Sequence, residues 1–360
     1  KFESYIKIVK VDSETGKTIP YEGAGFEIYN ADGEKMTMMY SYPSPTAIDV
    51  FYTNSEGYLI TPEVLPYGEY SLVEVQAPYG YVLDKTPVSF SVSSENAEEE
   101  NSLTIVKVEK QNTAQKGKIS VHKTGDIFTS VATASSAYTN ENGEMIVNPT
   151  TYTPVFANGD LSGAVFQITA KEDIVTLDGT IRAYAGDVVS EITTDENGYA
   201  ETEPLYLGKY EVREIKAPYG YVLNNEPKDV ELTYAGQEFE VRDTVNTAFE
   251  NEYQSVRISL SKVMESDEQF GIYGNDYYTS VRFGLFAAED ITAADGSVIP
   301  ADGLISEVSL DENMTAKFDV QIPFGRYYVQ EIATDEHYVL NGEKYLVNFE
   351  YMGQDIRTVD

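Results

Sequence analysis

Hydrophobic residues along this chain recur at every second position in short runs, and the runs are separated by turn-forming residues. IKIVK (6–10), ISVHK (119–123) and ISLSK (258–262) have this form, as do EYSLVEV (69–75), KYEVREI (209–215) and RYYVQEI (326–332). In an extended strand, residues two apart share a face, so each run predicts a half-buried strand. The turn signals between runs include TNSEGY (53–58), TDENGY (194–199) and the weaker LDENMT (310–315). No segment keeps a convincing helical period. The pattern predicts an all-β chain of antiparallel sandwiches.

The same ordered set of runs occurs three times. EYSLVEVQAPYGYVL (69–83) matches KYEVREIKAPYGYVL (209–223), and RYYVQEIATDEHYVL (326–340) is a degenerate third copy. Each follows a glycine, namely Gly68, Gly208 and Gly325. Between the opening run and this one lie GAGF (23–26), GAVF (163–166) and FGLF (283–286). The repeats divide the chain into three units at 1–114, 115–253 and 254–360. Lys123 lies eleven positions after Asn112, and Lys262 eleven after Asn251, with no Gly/Ser- or Pro-rich linker. Short, equal junctions predict a rod of stacked domains. Unit two is the longest because of a polar insertion at about 126–160.

Each opening run places a lysine where an apolar residue belongs. Ile6 and Ile8 lead to Lys10, Ile119 and Val121 to Lys123, and Ile258 and Leu260 to Lys262. The second run does the same with an acid: Tyr70 and Leu72 lead to Glu74, Tyr210 and Val212 to Glu214, Tyr327 and Val329 to Glu331. Burying a lone charge costs several kcal/mol. A lysine at a strand end can instead snorkel to water, or pair with the glutamate in a buried salt bridge. Three lysines in register, each matched by an inward acid, point beyond snorkelling to a chemical use.

Composition narrows the function classes. The net charge of −35 repels nucleic acid and anionic lipid surfaces. Its plain meaning is a solvated surface, with calcium-binding acidic loops as the alternative. Hydrophobic residues are 42% of the chain, enough for packed cores despite the charge. The absence of cysteine excludes disulfides and thiolate metal sites. The two histidines, His122 and His337, lie in different units, which argues against a catalytic triad or a zinc site. No metal and no cofactor is expected. No stretch is long and apolar enough to span a membrane. The first residue is Lys1, so the chain is expected to be a mature or excised piece of a longer protein.

The lysine run, the GAxF run, the DENGY turn and the APYGYVL segment together resemble the Cna protein B-type domain, also called the SpaA-type pilin domain. The likeness covers units one and two end to end and unit three with losses. It implies prealbumin-like sandwiches from surface adhesins or pilins of Gram-positive bacteria. It further implies an intramolecular isopeptide bond between a first-strand lysine and a last-strand asparagine, assisted by a core glutamate. By position these are Lys10, Glu74 and Asn112 in unit one, and Lys123, Glu214 and Asn251 in unit two. The Glu-to-Asn spacings, 38 and 37 residues, agree. An apolar core favours a neutral lysine beside a protonated glutamate, the state in which an amine can attack. In unit three only Lys262 and Glu331 have counterparts, because the matching acceptor position falls beyond Asp360. The expected role is a stalk or shaft segment, extracellular and anchored to the cell wall through a region outside this chain. Its partners are then neighbouring domains of a longer surface protein or pilus, and it carries no enzymatic turnover. The rival is an adhesin region that binds a host matrix protein or glycan through the 126–160 insertion or Tyr-rich loops.

Overall fold

The computed structural model describes residues 1–360. Three separate apolar cores lie along the chain, one per repeat. They are built around Ile6, Phe26 and Leu72 in unit one, Ile119, Phe166 and Val212 in unit two, and Ile258, Leu285 and Val329 in unit three. Units one and two are each two sheets face to face, an all-β sandwich. One sheet carries the lysine strand, Glu3–Asp12 in unit one and Ile119–Ala134 in unit two. The other is centred on the glutamate strand, Gly68–Gln76 in unit one and Gly208–Lys216 in unit two. The glutamate strand is flanked by the phenylalanine strand, Gly25–Asn30 in unit one and Val165–Ala170 in unit two.

Most pairings are antiparallel, as the short turns require, with one exception that matters. The lysine strand pairs in parallel with the asparagine strand, Leu103–Asn112 in unit one and Val245–Asn251 in unit two. Parallel neighbours need a long crossover. Here the crossover is the rest of the domain, so the first and last strands lie side by side at the centre of one sheet. Lys10 aligns with Lys110 and Asp12 with Asn112, while Lys123 aligns with Phe249 and Gly125 with Asn251. In both units the asparagine therefore sits two residues ahead of the lysine, on the same face.

The DENGY turns back the lysine strands. Gly57 and Gly198 adopt φ of +85° and +70°. A Cβ on Gly198 would come within 2.4 Å of the Lys123 carbonyl oxygen. Only glycine lets the turn approach so closely. The Lys10 and Lys123 backbone N–H groups donate to the Gly57 and Gly198 carbonyls at 2.9 and 2.7 Å.

Unit three keeps the glutamate sheet, with Arg282–Ala287 beside Gly325–Ala333. Its register corrects one motif assignment. Phe283 pairs with Glu331 as Phe26 pairs with Glu74 and Phe166 with Glu214. The counterpart of GAxF is thus SVRF (280–283), not FGLF; the second phenylalanine, Phe286, lies three residues further along the strand. The lysine strand here is short, Ile258–Ser261, and pairs only with Thr315–Phe318.

The insertion in unit two is largely structural. The lysine strand runs on for sixteen residues to Ala134 and pairs with Thr151–Asp160, forming a long two-stranded arm. Phe128, Val131 and Tyr152 of this arm pack on the unit-three core. Thr151 pairs with Leu304, joining the sheets of the two units. Only the tip, around Ala137–Thr139 and Met145–Val147, projects freely.

Candidate cross-linking site

Lys10 and Lys123 are fully buried, as are Glu74, Glu214, Asn112 and Asn251. Strand alternation carries each lysine inward past two apolar residues, and the same alternation aims each glutamate from the facing sheet. In unit one the Lys10 ammonium nitrogen lies 2.8 Å from Glu74 Oε1 and 3.0 Å from the Lys110 carbonyl oxygen. The other carboxylate oxygen, Oε2, accepts from Asn112 Nδ2 at 2.7 Å. One carboxylate thus touches both the amine and the amide nitrogen. Unit two repeats the arrangement. Lys123 Nζ is 3.2 Å from Glu214 Oε1, close but not aligned for a hydrogen bond, and Asn251 Nδ2 donates to Glu214 Oε2 at 2.9 Å.

The walls are aromatic. Lys10 Nζ stands 5.5 Å from the Phe26 ring centre, and Lys123 Nζ stands 5.6 Å from Phe166 and 5.8 Å from Phe249. Desolvation in these pockets outweighs attraction to the glutamate and lowers both lysines to about 8. Burial therefore favours the neutral amine at both sites relative to a free lysine. Asn112 Oδ1 and Asn251 Oδ1 are buried and accept no hydrogen bond. Buried acceptors in that state are uncommon and cost free energy.

Two groups that hold the site were not legible as site residues. The Val82 and Val222 carbonyls accept from Asn112 and Asn251 Nδ2 at 2.8 and 2.6 Å. The backbone N–H of Asp84, Asn224 and Asn341 donates to Oε2 of Glu74, Glu214 and Glu331 at 3.1, 3.0 and 2.7 Å. All lie in or just after the YVL that ends each copy of the repeat, so the repeat itself was the signal. Backbone groups carry no residue-type signature, which is why spacing alone did not reveal them.

Unit three brings together only part of this set. Lys262 lies 3.2 Å from Glu331 Oε1, but its side chain is 23% exposed where the other two lysines are sealed. Its strand has no parallel neighbour within residues 1–360. The candidate lysine is thus inward only in part, because Ile258–Ser261 is paired along one edge only, with Thr315–Phe318. His122 points outward and meets Asp160 at 2.7 Å, at the surface and away from the site. No group of three or more His, Asp or Glu side chains is arranged to hold a metal ion. No helix is long and apolar enough to cross a membrane.

Two prealbumin-like sandwiches, each with a buried lysine and asparagine on adjoining strands and a glutamate facing them from the other sheet, define a domain class. The chain belongs to the SpaA family of prealbumin-like fold domains, whose pattern matches residues 4–107 and 156–247, more than half of the sequence. Among curated proteins it is similar to the trypsin-resistant surface T6 protein of Streptococcus pyogenes serotype M6. The two are 30% identical over 94 residues, which is 26% of this chain and 16% of that protein. Among solved structures, the Bacillus anthracis TIE protein shares the fold at a TM-score of 0.56 and 22% identity, with all of this chain aligned to 50% of that one. The chain therefore spans half or less of the length of these relatives. The major pilin subunit of Bacillus cereus aligns over 99% of this chain and 97% of its own, at 16% identity and a TM-score of 0.33.

Proposed function

We propose that the chain is a structural spacer of a bacterial surface adhesin or pilus, closed in units one and two by self-formed Lys10–Asn112 and Lys123–Asn251 amide bonds. The observation that carries this reading is the single buried carboxylate in contact with both the lysine amine and the asparagine amide nitrogen. Glu74 accepts a proton from Lys10 Nζ. The freed amine attacks Asn112 Cγ, Glu74 returns that proton to Nδ2 as the Cγ–Nδ2 bond breaks, and Glu74 takes the second Nζ proton as the amide forms. One C–N bond forms, one breaks, and ammonia leaves without any oxidant or cofactor. Fixed geometry supplies effective molarity, and proton shuttling lowers the barrier. Each site reacts once, so this is maturation and not turnover.

The product replaces a buried ion pair by an uncharged amide. It also links the first strand to the last, closing a loop of about a hundred residues, which by analogy with disulfides stabilises by very roughly 4–5 kcal/mol. Similarity to a streptococcal surface protein supports an extracellular, cell-surface setting, with other subunits or domains of a longer assembly as neighbours.

Intact-mass measurement is the direct test. The chain should weigh two ammonia molecules less than its sequence. Asn112→Ala and Asn251→Ala should each restore one, and the full sequence mass in the unaltered chain would sink the reading.

The ligand-binding alternative rests on one observation, the exposed apolar side chains at the arm tip. Met145 is 72% and Val147 64% exposed. Binding to a matrix-protein or glycan array that disappears when 135–150 is replaced by a short turn would favour it.

A further inference from the structure

The two junctions between units are built alike. After the strand that pairs outside the glutamate strand, unit two reads Tyr234-Ala-Gly-Gln237 and unit three reads Tyr351-Met-Gly-Gln354. Each tetrapeptide grips the APYGYVL loop of the unit before it. Tyr234 and Tyr351 donate from their hydroxyls to the carbonyls of Tyr81 and Tyr221, both at 2.7 Å. Gln237 and Gln354 accept through Oε1 from the Ala77 and Ala217 N–H, both at 2.8 Å. Their backbone carbonyls accept from the Leu83 and Leu223 N–H at 2.8 and 2.9 Å. The rings of Tyr79 and Tyr234, and of Tyr219 and Tyr351, meet edge to face at 4.7 and 4.8 Å between centres.

The same tetrapeptide also grips the end of the asparagine strand. Three residues beyond Asn112, the buried Gln115 donates to the Gly236 and Phe239 carbonyls and accepts from the Ala235 N–H. Three residues beyond Asn251, the buried Gln254 donates to Gly353 and Ile356 and accepts from Met352. The gripped loop supplies the Val82 or Val222 carbonyl that holds the asparagine amide, and the chain just after it supplies the Asp84 or Asn224 N–H that holds the glutamate.

We propose that each cross-linking site is positioned by the unit that follows it. Gln237 and Tyr234 are positioning residues for the Lys10–Asn112 bond, and Gln354 and Tyr351 for the Lys123–Asn251 bond. The tetrapeptide spans the two elements that must be held together, the glutamate-side loop and the end of the asparagine strand. Cross-linking in one unit therefore waits on folding of the next. The device has two ends in this sequence. In unit one, the positions equivalent to Tyr234 and Gln237, counted from Val92 opposite Gly68, are Ser94 and Ala97. In unit three, Glu336 and His337 stand where Tyr79 and Gly80 stand. Unit one offers no grip to a unit before it, and unit three offers no matching loop to one after it.

This inference rests on the cross-linking reading above. The test is a time course of intact mass after cell-free synthesis of the full 360-residue chain, with each bond assigned by peptide mapping. Gln237→Met should slow ammonia loss in unit one at least tenfold and leave unit two at its normal rate. Gln354→Met should do the reverse. Gln237→Glu keeps an oxygen acceptor for the Ala77 N–H and should recover most of the rate. Amide exchange at Ile6 and Ile8 reports whether unit one is folded in each variant. Normal rates at both sites, in variants whose Ala77 amide has lost its protection, would overturn the inference. Slowing of both sites by either variant would also overturn it. Absence of ammonia loss in the unaltered chain would instead overturn the cross-linking reading beneath it.

Discussion

At the scale of single residues, the buried lysines decide the chemistry. Burial holds Lys10 and Lys123 at about 8, below the ordinary lysine value, chiefly because the charged form loses its water. A lowered native value means that the unfolded chain binds more protons between about pH 8 and the free-lysine value. Stability therefore rises with pH across that window, and the penalty is full below it. This can be read where the bond cannot form. An Asn112→Ala chain should gain roughly 1 kcal/mol in unit one between pH 7 and 9, relative to a Lys10→Met, Asn112→Ala chain, measured by amide exchange of the core. Equal pH dependence in the two chains would contradict a depressed Lys10. Glu74→Gln keeps the shape but cannot carry the proton. It should abolish ammonia loss in unit one while unit two still loses its molecule, as read by mass.

At the scale of elements, glycine turns and the long arm do work that the repeats only hinted at. Gly198 lies against the Lys123 carbonyl at positive φ. In an Asn251→Ala background, Gly198→Ala should destabilise unit two by about 1–3 kcal/mol in denaturant melts. In unit three the same turn has Met314 at φ +63°, a conformation that favours glycine. The arm separates into two parts with different expectations. Phe128→Ala should cost unit three about 2 kcal/mol, since the ring packs on that core. Replacement of 135–150 by a short turn should leave the melts of all three units unchanged, since those strands are exposed.

At the scale of the whole molecule, force entering along the chain meets two kinds of unit. Under the proposed cross-links, with the first strand bonded to the last, units one and two would not lengthen beyond the few residues outside the bond. In the same proposal unit three carries no cross-link and is held by its strand pairings and its core. Single-molecule pulling on this chain should therefore show one unfolding extension, from unit three. Asn112→Ala should add a second, from unit one.

Much of this was legible in the sequence because its signals are local. Two-residue alternation sets which face Lys10, Glu74 and their counterparts occupy, and that depends only on strand geometry. The Glu-to-Asn spacing carried over from the family resemblance named three residues in each of units one and two that the structure places in contact. The parallel pairing that places Asn112 beside Lys10 arises only when the domain closes, since it joins residues a hundred positions apart. The degree to which Lys262 is sealed depends on a neighbouring strand and not on its own. The register that makes Phe283 the partner of Glu331 is set across two strands, and Phe283 and Phe286 look alike in sequence. The use of the 126–160 segment as a brace, and the grip of Tyr234 and Gln237 on the preceding loop, depend on how successive units dock. A sequence specifies each strand through its own alternation, but contacts between units are chosen by surfaces that exist only once each unit has folded.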